Sequence, residues 1–229
     1  MSGQRDLWAV VPAKQLADAK HRLSRVFPPE FRRALAIEML EDVLAALSQA
    51  SGLAGIVVVT IDPEMTGVAR RRGARILADG ATSGHTGAVT AAMRMLVAEG
   101  REGMLTVPGD IPGVTAAEID ALLRRHGPAP SFTIAPAHDG RGSNAVVASP
   151  ADLVPLAFGN DSFLPHLAAA RQRGIEPAVV RLERLGLDID NPEDLEVFVE
   201  QNWPTRTTEF LRRSGLLVAD TPRHYARGT

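Results

Sequence analysis

The sequence predicts an α/β protein, built as a mostly parallel β-sheet flanked by helices. Three observations lead there. Short β-rich runs alternate along the chain with longer segments of helical period, the pattern of strands joined by crossover helices. One run, Gly55-Ile56-Val57-Val58-Val59-Thr60, is almost wholly apolar, as a strand covered on both faces requires. An aspartate-bearing turn, Pro108-Gly109-Asp110-Ile111-Pro112, directly follows a predicted strand, where open α/β sheets bind their ligands.

Taken in order, residues 7–11 read as the first strand. Pro28 and Pro29 open a helix on which Phe31, Leu35, Met39, Val43 and Leu47 recur every four residues as one apolar stripe, and Gly52 stands where it stops. After the strand at 55–60 come a helix at 64–72 and a short strand at 74–78. Thr82-Ser83-Gly84-His85-Thr86-Gly87 reads as a loop ahead of a helix at 88–99. Residues 104–107 form a strand, and Thr115-Ala116-Ala117-Glu118 is a capping box whose helix ends before Gly127. Strands are expected at 131–136, 145–148 and 178–182, with helices at 163–173 and 192–202. Residues 1–203 are thus expected to form one domain. Residues 204–229 are expected to be an appendage, one short helix around 207–213 and a polar tail.

The chain has 229 residues, 45% of them hydrophobic, enough to bury a sizeable core although only 4% are aromatic. It contains no cysteine, which excludes disulfides, thiolate metal sites and a cysteine nucleophile. A net charge of −2 offers no basic excess for a nucleic-acid partner. The apolar stretch at 7–11 is too short for a signal segment or a membrane span, so a soluble, cytoplasmic protein is expected. A homodimer is left open.

Asp110 alone could be a turn residue that satisfies backbone groups. A second acidic element shifts the balance. In Leu187-Asp188-Ile189-Asp190-Asn191-Pro192-Glu193-Asp194, the first two aspartates are two residues apart, which on an extended segment puts both carboxylates on one face. Like charges so close repel, and a divalent cation is the usual reason to assemble them. Asn191, Pro192, Glu193 and Asp194 are explained by helix capping, but Asp188 is not. Asp110, Asp188 and Asp190 are therefore the candidate ligands of Mg²⁺, which accepts carboxylates, waters and phosphate oxygens.

Three loops are candidates for anions. Lys14, Lys20 and Arg22 follow the first strand and could bind phosphate, or could be solvated surface cations. Gly84, Thr86 and Gly87 precede a helix and could present backbone N–H groups to a nucleotide, although no Walker A ending is present. Gly159 and Ser162, in Phe158-Gly159-Asn160-Asp161-Ser162-Phe163, open another helix; Ser162 is a candidate N-cap or anion donor, and Asp161 opposes an anion unless it turns away. Arg141 and Asn144 in the polar turn at 139–144 are further candidates for substrate contact, and His126 and His166 suit helix-end roles.

Together the segments VPAKQLADAKHRL, GDIP, DGRGSNAVV, FGNDSF and LDIDNPEDL, in this order between residues 11 and 195, resemble the 2-phospholactate guanylyltransferase family of deazaflavin-coenzyme biosynthesis. The resemblance implies a Rossmann-like fold of the nucleotide-diphospho-sugar-transferase (GT-A-like) type. It also implies condensation of GTP with a phosphorylated three-carbon acid (2-phospho-L-lactate, phosphoenolpyruvate or 3-phospho-D-glycerate) and release of pyrophosphate. It places Mg²⁺ on Asp110, Asp188 and Asp190, and the acid at Gly159, Ser162, Ser143 and Asn144. Asn160-Asp161 stands where such proteins often have Pro-Gly, and His85-Thr86-Gly87 where they tend to have an asparagine-containing helix start. The more polar acid loop suits an acid with an additional hydroxyl, which points to 3-phosphoglycerate. Two other readings remain open from the residues: a glycosyltransferase using Asp188-Ile189-Asp190 as a DxD-like motif, and an inactive nucleotide-binding module.

Overall fold

The computed structural model describes residues 5–13, 15, 16, 20–159 and 161–216; Lys14, Asn160 and the tail from 217 lie outside the described residues. Among the described residues seven strands form one sheet in the order β3-β2-β1-β4-β6-β5-β7: β1 (Leu7–Pro12), β2 (Gly55–Val59), β3 (Arg75–Leu77), β4 (Gly103–Thr106), β5 (Ser131–Pro136), β6 (Ser143–Ser149) and β7 (Ala178–Val179). Every pairing is parallel except the two made by β6, which runs against β4 and β5. The expected mostly parallel sheet is therefore present.

Among the described residues seven α-helices accompany it: α1 (Pro29–Gln49), α2 (Pro63–Arg71), α3 (Gly84–Ala98), α4 (Ala116–Arg125), α5 (Phe163–Gln172), α6 (Pro192–Gln201) and α7 (Arg206–Arg213). The strands feed two sides alternately. Ala9, Val11, Ile56, Val58, Leu105 and Val147 pack with the α1 stripe in the main core, whereas Val10, Val57, Val59 and Met104 pack with Ala88, Val89, Ala92 and Leu96 of α3 on the other face. Strand side chains point alternately to opposite faces, so a run apolar at every position supplies both cores. No helix among the described residues is long and apolar enough to cross a membrane.

Four local expectations changed. The glycine-rich segment at 82–87 is mostly helical: α3 begins at Gly84, which holds φ +71° at the turn into it. Gly87 is there for close packing, because a Cβ at that position would stand 2.3 Å from the Ser83 Cβ. Thr115 caps α4, accepting from Glu118 N–H at 3.2 Å, but Glu118 does not reciprocate. Its carboxylate accepts instead from the N–H groups of Arg184 and Leu185, at 3.0 and 2.9 Å. The strand expected at 178–182 is reduced to β7, since the chain turns at Leu182, whose carbonyl accepts from Gly186 N–H.

The fourth change concerns α7, expected as part of an appendage. Asp42, in the middle of α1, accepts from the N–H groups of Arg206 and Thr207 at 2.9 Å each and from the Thr207 hydroxyl at 2.7 Å. This satisfies the open N–H groups at the start of α7, and Leu211 and Trp203 join the main core. α7 is thus packed on α1.

Beyond α4, His126 is buried between two hydroxyls, Thr133 Oγ1 and Ser149 Oγ, each 3.0 Å from a ring nitrogen. Burial, helped by the Arg5 charge, pushes its pKa down to about 4. The unfolded chain therefore takes up a proton between about pH 6.5 and 4 that the folded state refuses, so the stability linked to His126 is present above 6.5 and lost as pH falls. By pH 4.5 the His126→Gln variant should have lost about 2–3 kcal/mol less of its pH 7 stability than wild type, as read by urea denaturation at the two pH values.

Candidate active site

The site lies where the strand order reverses. From β1 the chain passes by α1 to β2 and by α2 to β3 on one side, then returns through α3 to β4 on the other side of β1. The loops leaving β1 and β4 part there, and a crevice opens at the carboxyl ends of the strands. Because β6 is antiparallel, with Thr106 opposite Val146, its first residues, Ser143 and Asn144, arrive at the same edge at which β4 ends. A cleft of about 700 Å³ occupies this edge, within the range of roughly 300–1,000 Å³ usual for small-molecule sites.

Asp110 follows β4, and its carbonyl accepts from Ile189 N–H at 3.0 Å, which draws the 188–190 segment alongside. Asp194 Oδ2 accepts from the N–H groups of Asp190 and Asn191, at 2.9 and 3.0 Å, and Asn191 Oδ1 accepts from Asp194 N–H. This reciprocal cap commits Asp194 Oδ2 to the helix start; Asp188, Asp190 and Asp194 all line the cleft.

A lysine joins the acidic groups. Lys20 Nζ donates to Asp110 Oδ2 at 2.7 Å and to Asp190 Oδ1 at 3.3 Å. Its side chain is only 8% exposed, and its backbone adopts the left-handed region at φ 51°, which is unfavourable for a residue with a Cβ. Burial works to lower its pKa, but the charges of Asp110 and Asp190 and their hydrogen bonds outweigh that, so it stays a cation. Arg22 donates to the other oxygen of Asp190 at 3.2 Å. Asp188 lies deeper. Burial and then the charge of Asp110 raise its pKa to about 6, against the hydrogen bond from Asn144.

The expected residues thus divide. Asp110, Asp188, Asp190, Lys20, Arg22, Gly84, Ser143, Asn144, Gly159 and Ser162 all line the one cleft; Lys14 lies outside the described residues. Thr86 and Gly87 do not line it. Thr86 Oγ1 accepts from Phe158 N–H at 2.9 Å and so ties α3 to the 158–162 loop. Asn144, expected to touch the acid, spends its amide on the carbonyls of Leu185 and Gly186 and on Asp188 Oδ1, and so holds Asp188 in place. Asp161 does turn away: it is 70% exposed and accepts from Arg141 Nε at 2.7 Å across the rim.

His85, which the sequence placed in one of the candidate loops, lines the cleft, stacked on Phe158 with ring centroids 4.2 Å apart. The contribution of His166 went unread in the sequence. It is hydrogen-bonded to Ser143 behind the cleft; its place four residues after Ser162, on the same face of α5, was the available signal.

The donor set suits Mg²⁺, being three carboxylates and hence hard oxygens. Among the described residues no group of three or more histidine, aspartate or glutamate side chains stands ready assembled for a metal. The expected trio is instead bridged in part by the Lys20 ammonium, itself a cation between Asp110 and Asp190. Like-charged carboxylates cannot close on one another unless a cation lies among them, and Lys20 marks where positive charge is favoured.

The crevice at the strand ends, lined by acidic groups, lysine and arginine, lies where open α/β sheets bind their ligands. The fold is shared with a putative nucleotide-diphospho-sugar transferase from Desulfovibrio desulfuricans G20, at a TM-score of 0.71 and 18% identity, covering 94% of this chain and 96% of that one. The matching family and relatives that are 37% and 32% identical define a nucleotidyltransferase. A family model described as "Guanylyl transferase CofC like" matches residues 7–227, and the chain belongs to that family. The match runs through α7, past the point at which the resemblance read from the sequence stopped. A phosphoenolpyruvate guanylyltransferase from Roseiflexus sp. (strain RS-1) is 37% identical over 225 residues, 94% of this chain and 98% of its own. A 3-phospho-D-glycerate guanylyltransferase from Colwellia psychrerythraea is 32% identical over 188 residues, 82% of this chain and 89% of its own.

Proposed function

We propose that this protein transfers the guanylyl group of GTP to phosphoenolpyruvate and releases pyrophosphate, as a cytoplasmic enzyme of deazaflavin coenzyme (F420) biosynthesis. The observation that carries the reading is the family match over residues 7–227, on a chain whose acidic and cationic side chains converge in one cleft. A phosphate oxygen of the acid forms the new bond to the α-phosphorus of GTP as the bond to the pyrophosphate oxygen breaks. That phosphate is already ionised at neutral pH, so no general base is needed. Asp110, Asp188 and Asp190 would hold Mg²⁺, which when bound supplies charge neutralisation for the phosphates and the departing pyrophosphate. Lys20 and Arg22 place two further positive charges beside the reacting groups. Ser143, Ser162 and Gly159, which line the same cleft, would bind the acid.

The outward turn of Asp161 takes one of the two polar residues behind the hydroxyl-bearing reading away from the cleft, and the similarity along nearly the whole chain to a phosphoenolpyruvate enzyme favours that substrate. The test is a pyrophosphate-release assay crossing the four nucleoside triphosphates with phosphoenolpyruvate, 3-phospho-D-glycerate and 2-phospho-L-lactate. Release is expected only with GTP and phosphoenolpyruvate. Preference for another acid would overturn the substrate assignment, and no release with any pair would overturn the transfer itself.

A further inference from the structure

His166 is 1% exposed and does not line the cleft, yet its ring is hydrogen-bonded at both nitrogens. The backbone N–H of Ala157 lies 3.0 Å from Nε2. A backbone amide can only donate, so Nε2 is the acceptor and the ring proton sits on Nδ1. Nδ1–H therefore donates to Ser143 Oγ, 2.9 Å away. Ser143 Oγ also accepts from the Ser162 hydroxyl at 3.2 Å, while Ser162 Oγ accepts from Ser143 N–H at 3.1 Å. With both its lone pairs taken, the Ser143 hydroxyl has one direction left for its own proton. Ser143 is a cleft-lining residue. Burial, with a smaller contribution from the charge of His85, pulls the His166 pKa down to about 4, so the ring stays neutral and the donor order does not reverse at neutral pH.

We infer that His166 is a positioning residue for acid binding: it takes up the lone pair of Ser143 and turns the serine proton into the cleft, towards a carboxylate or phosphate oxygen of the acid. A serine hydroxyl left to rotate would spend part of its time donating elsewhere; one locked by two donors meets its anion without reorganisation. The inference rests on the reading that the acid binds at Ser143 and Ser162.

The test is steady-state kinetics with GTP and the acid that wild type turns over. His166→Gln keeps an acceptor for Ala157 N–H but loses the donor to Ser143, whereas His166→Asn keeps a donor close to the Nδ1 position. The first should raise KM for the acid about tenfold, the loss expected for one hydrogen bond to a charged group, with KM for GTP within twofold of wild type. His166→Asn should recover most of that affinity even if its Tm is lower. In a Ser143→Ala background, His166→Gln should have no further effect on KM for the acid. The inference is overturned if His166→Gln leaves KM for the acid unchanged while Ser143→Ala raises it, or if both KM values rise together in step with falling Tm in both histidine variants. If Ser143→Ala itself leaves KM for the acid unchanged, the placement of the acid fails instead.

Discussion

Replacing Asp110 by asparagine is expected to lower turnover at saturating GTP and Mg²⁺ by about 10²–10³-fold, the usual loss when one preorganised charge is removed from a transition-state site. The change is nearly isosteric. The Asp110 carbonyl still accepts from Ile189 N–H, and Pro108 and Pro112 still confine the turn, so Tm should move little. What is lost is a carboxylate 2.7 Å from the Lys20 ammonium. Asp188→Asn should match it in size, because Asn144 can still donate to the new amide oxygen and hold the side chain in place. The measurement is pyrophosphate release alongside thermal unfolding. Near-wild-type turnover in both variants would refute the assignment of these aspartates to the metal.

Lys20→Met should separate the phosphate-binding role read from the sequence from the counter-ion role seen in the fold. If the lysine acted only on the triphosphate, its loss would raise KM for GTP and leave Mg²⁺ binding to the nucleotide-free protein unchanged. The structure instead places it between Asp110 and Asp190, where it competes with any other cation for the same oxygens. Without it, two carboxylates face each other with one positive charge fewer, at an effective dielectric in which a unit charge at about 4 Å is worth up to about 4 kcal/mol before screening. Discounted for the exposure of Asp190, this corresponds to Mg²⁺ binding roughly tenfold tighter or more, measured by calorimetry without nucleotide. Turnover should fall at the same time, because the lysine no longer supplies charge beside the reacting phosphates. Unchanged Mg²⁺ affinity would remove the competition, and unchanged turnover the catalytic role.

Much of this site was legible in the chain. Asp110 could be placed because a strand-like run precedes it, and Asp188 because capping explains Asn191 and Asp194 but not its own carboxylate. The reciprocal bonds between Asn191 and Asp194 are those expected of a helix start. The Ser143 turn and the Ser162 loop were both singled out. Their direct contact, with Ser143 N–H on Ser162 Oγ, depends on β6 running antiparallel, and no local pattern announces a strand's direction. The glycine-rich start of α3 was misread because a glycine needed for close packing looks, in sequence, like one needed for a loop. Asp42, a charged residue in mid-helix, would pass for a solvated one, yet it lies in the interior because α7 brings N–H donors to it.

By itself the sequence determined the order of strands and helices, most of their ends, and the inventory of carboxylates, cations and hydroxyls available for chemistry. These follow from side-chain periodicity, capping and turn preferences, which act over a few residues and can be read within a short window. Only the tertiary structure decided which of those groups meet. Lys20 reaches Asp110 across 90 positions and Asp190 across 170, and Ser143 reaches His166 through a strand reversal and a loop. Such pairings depend on how the sheet orders its strands, which the packing of the whole core selects. For that reason the same lysine that reads as a phosphate ligand in the chain stands in the fold as the counter-ion of two aspartates.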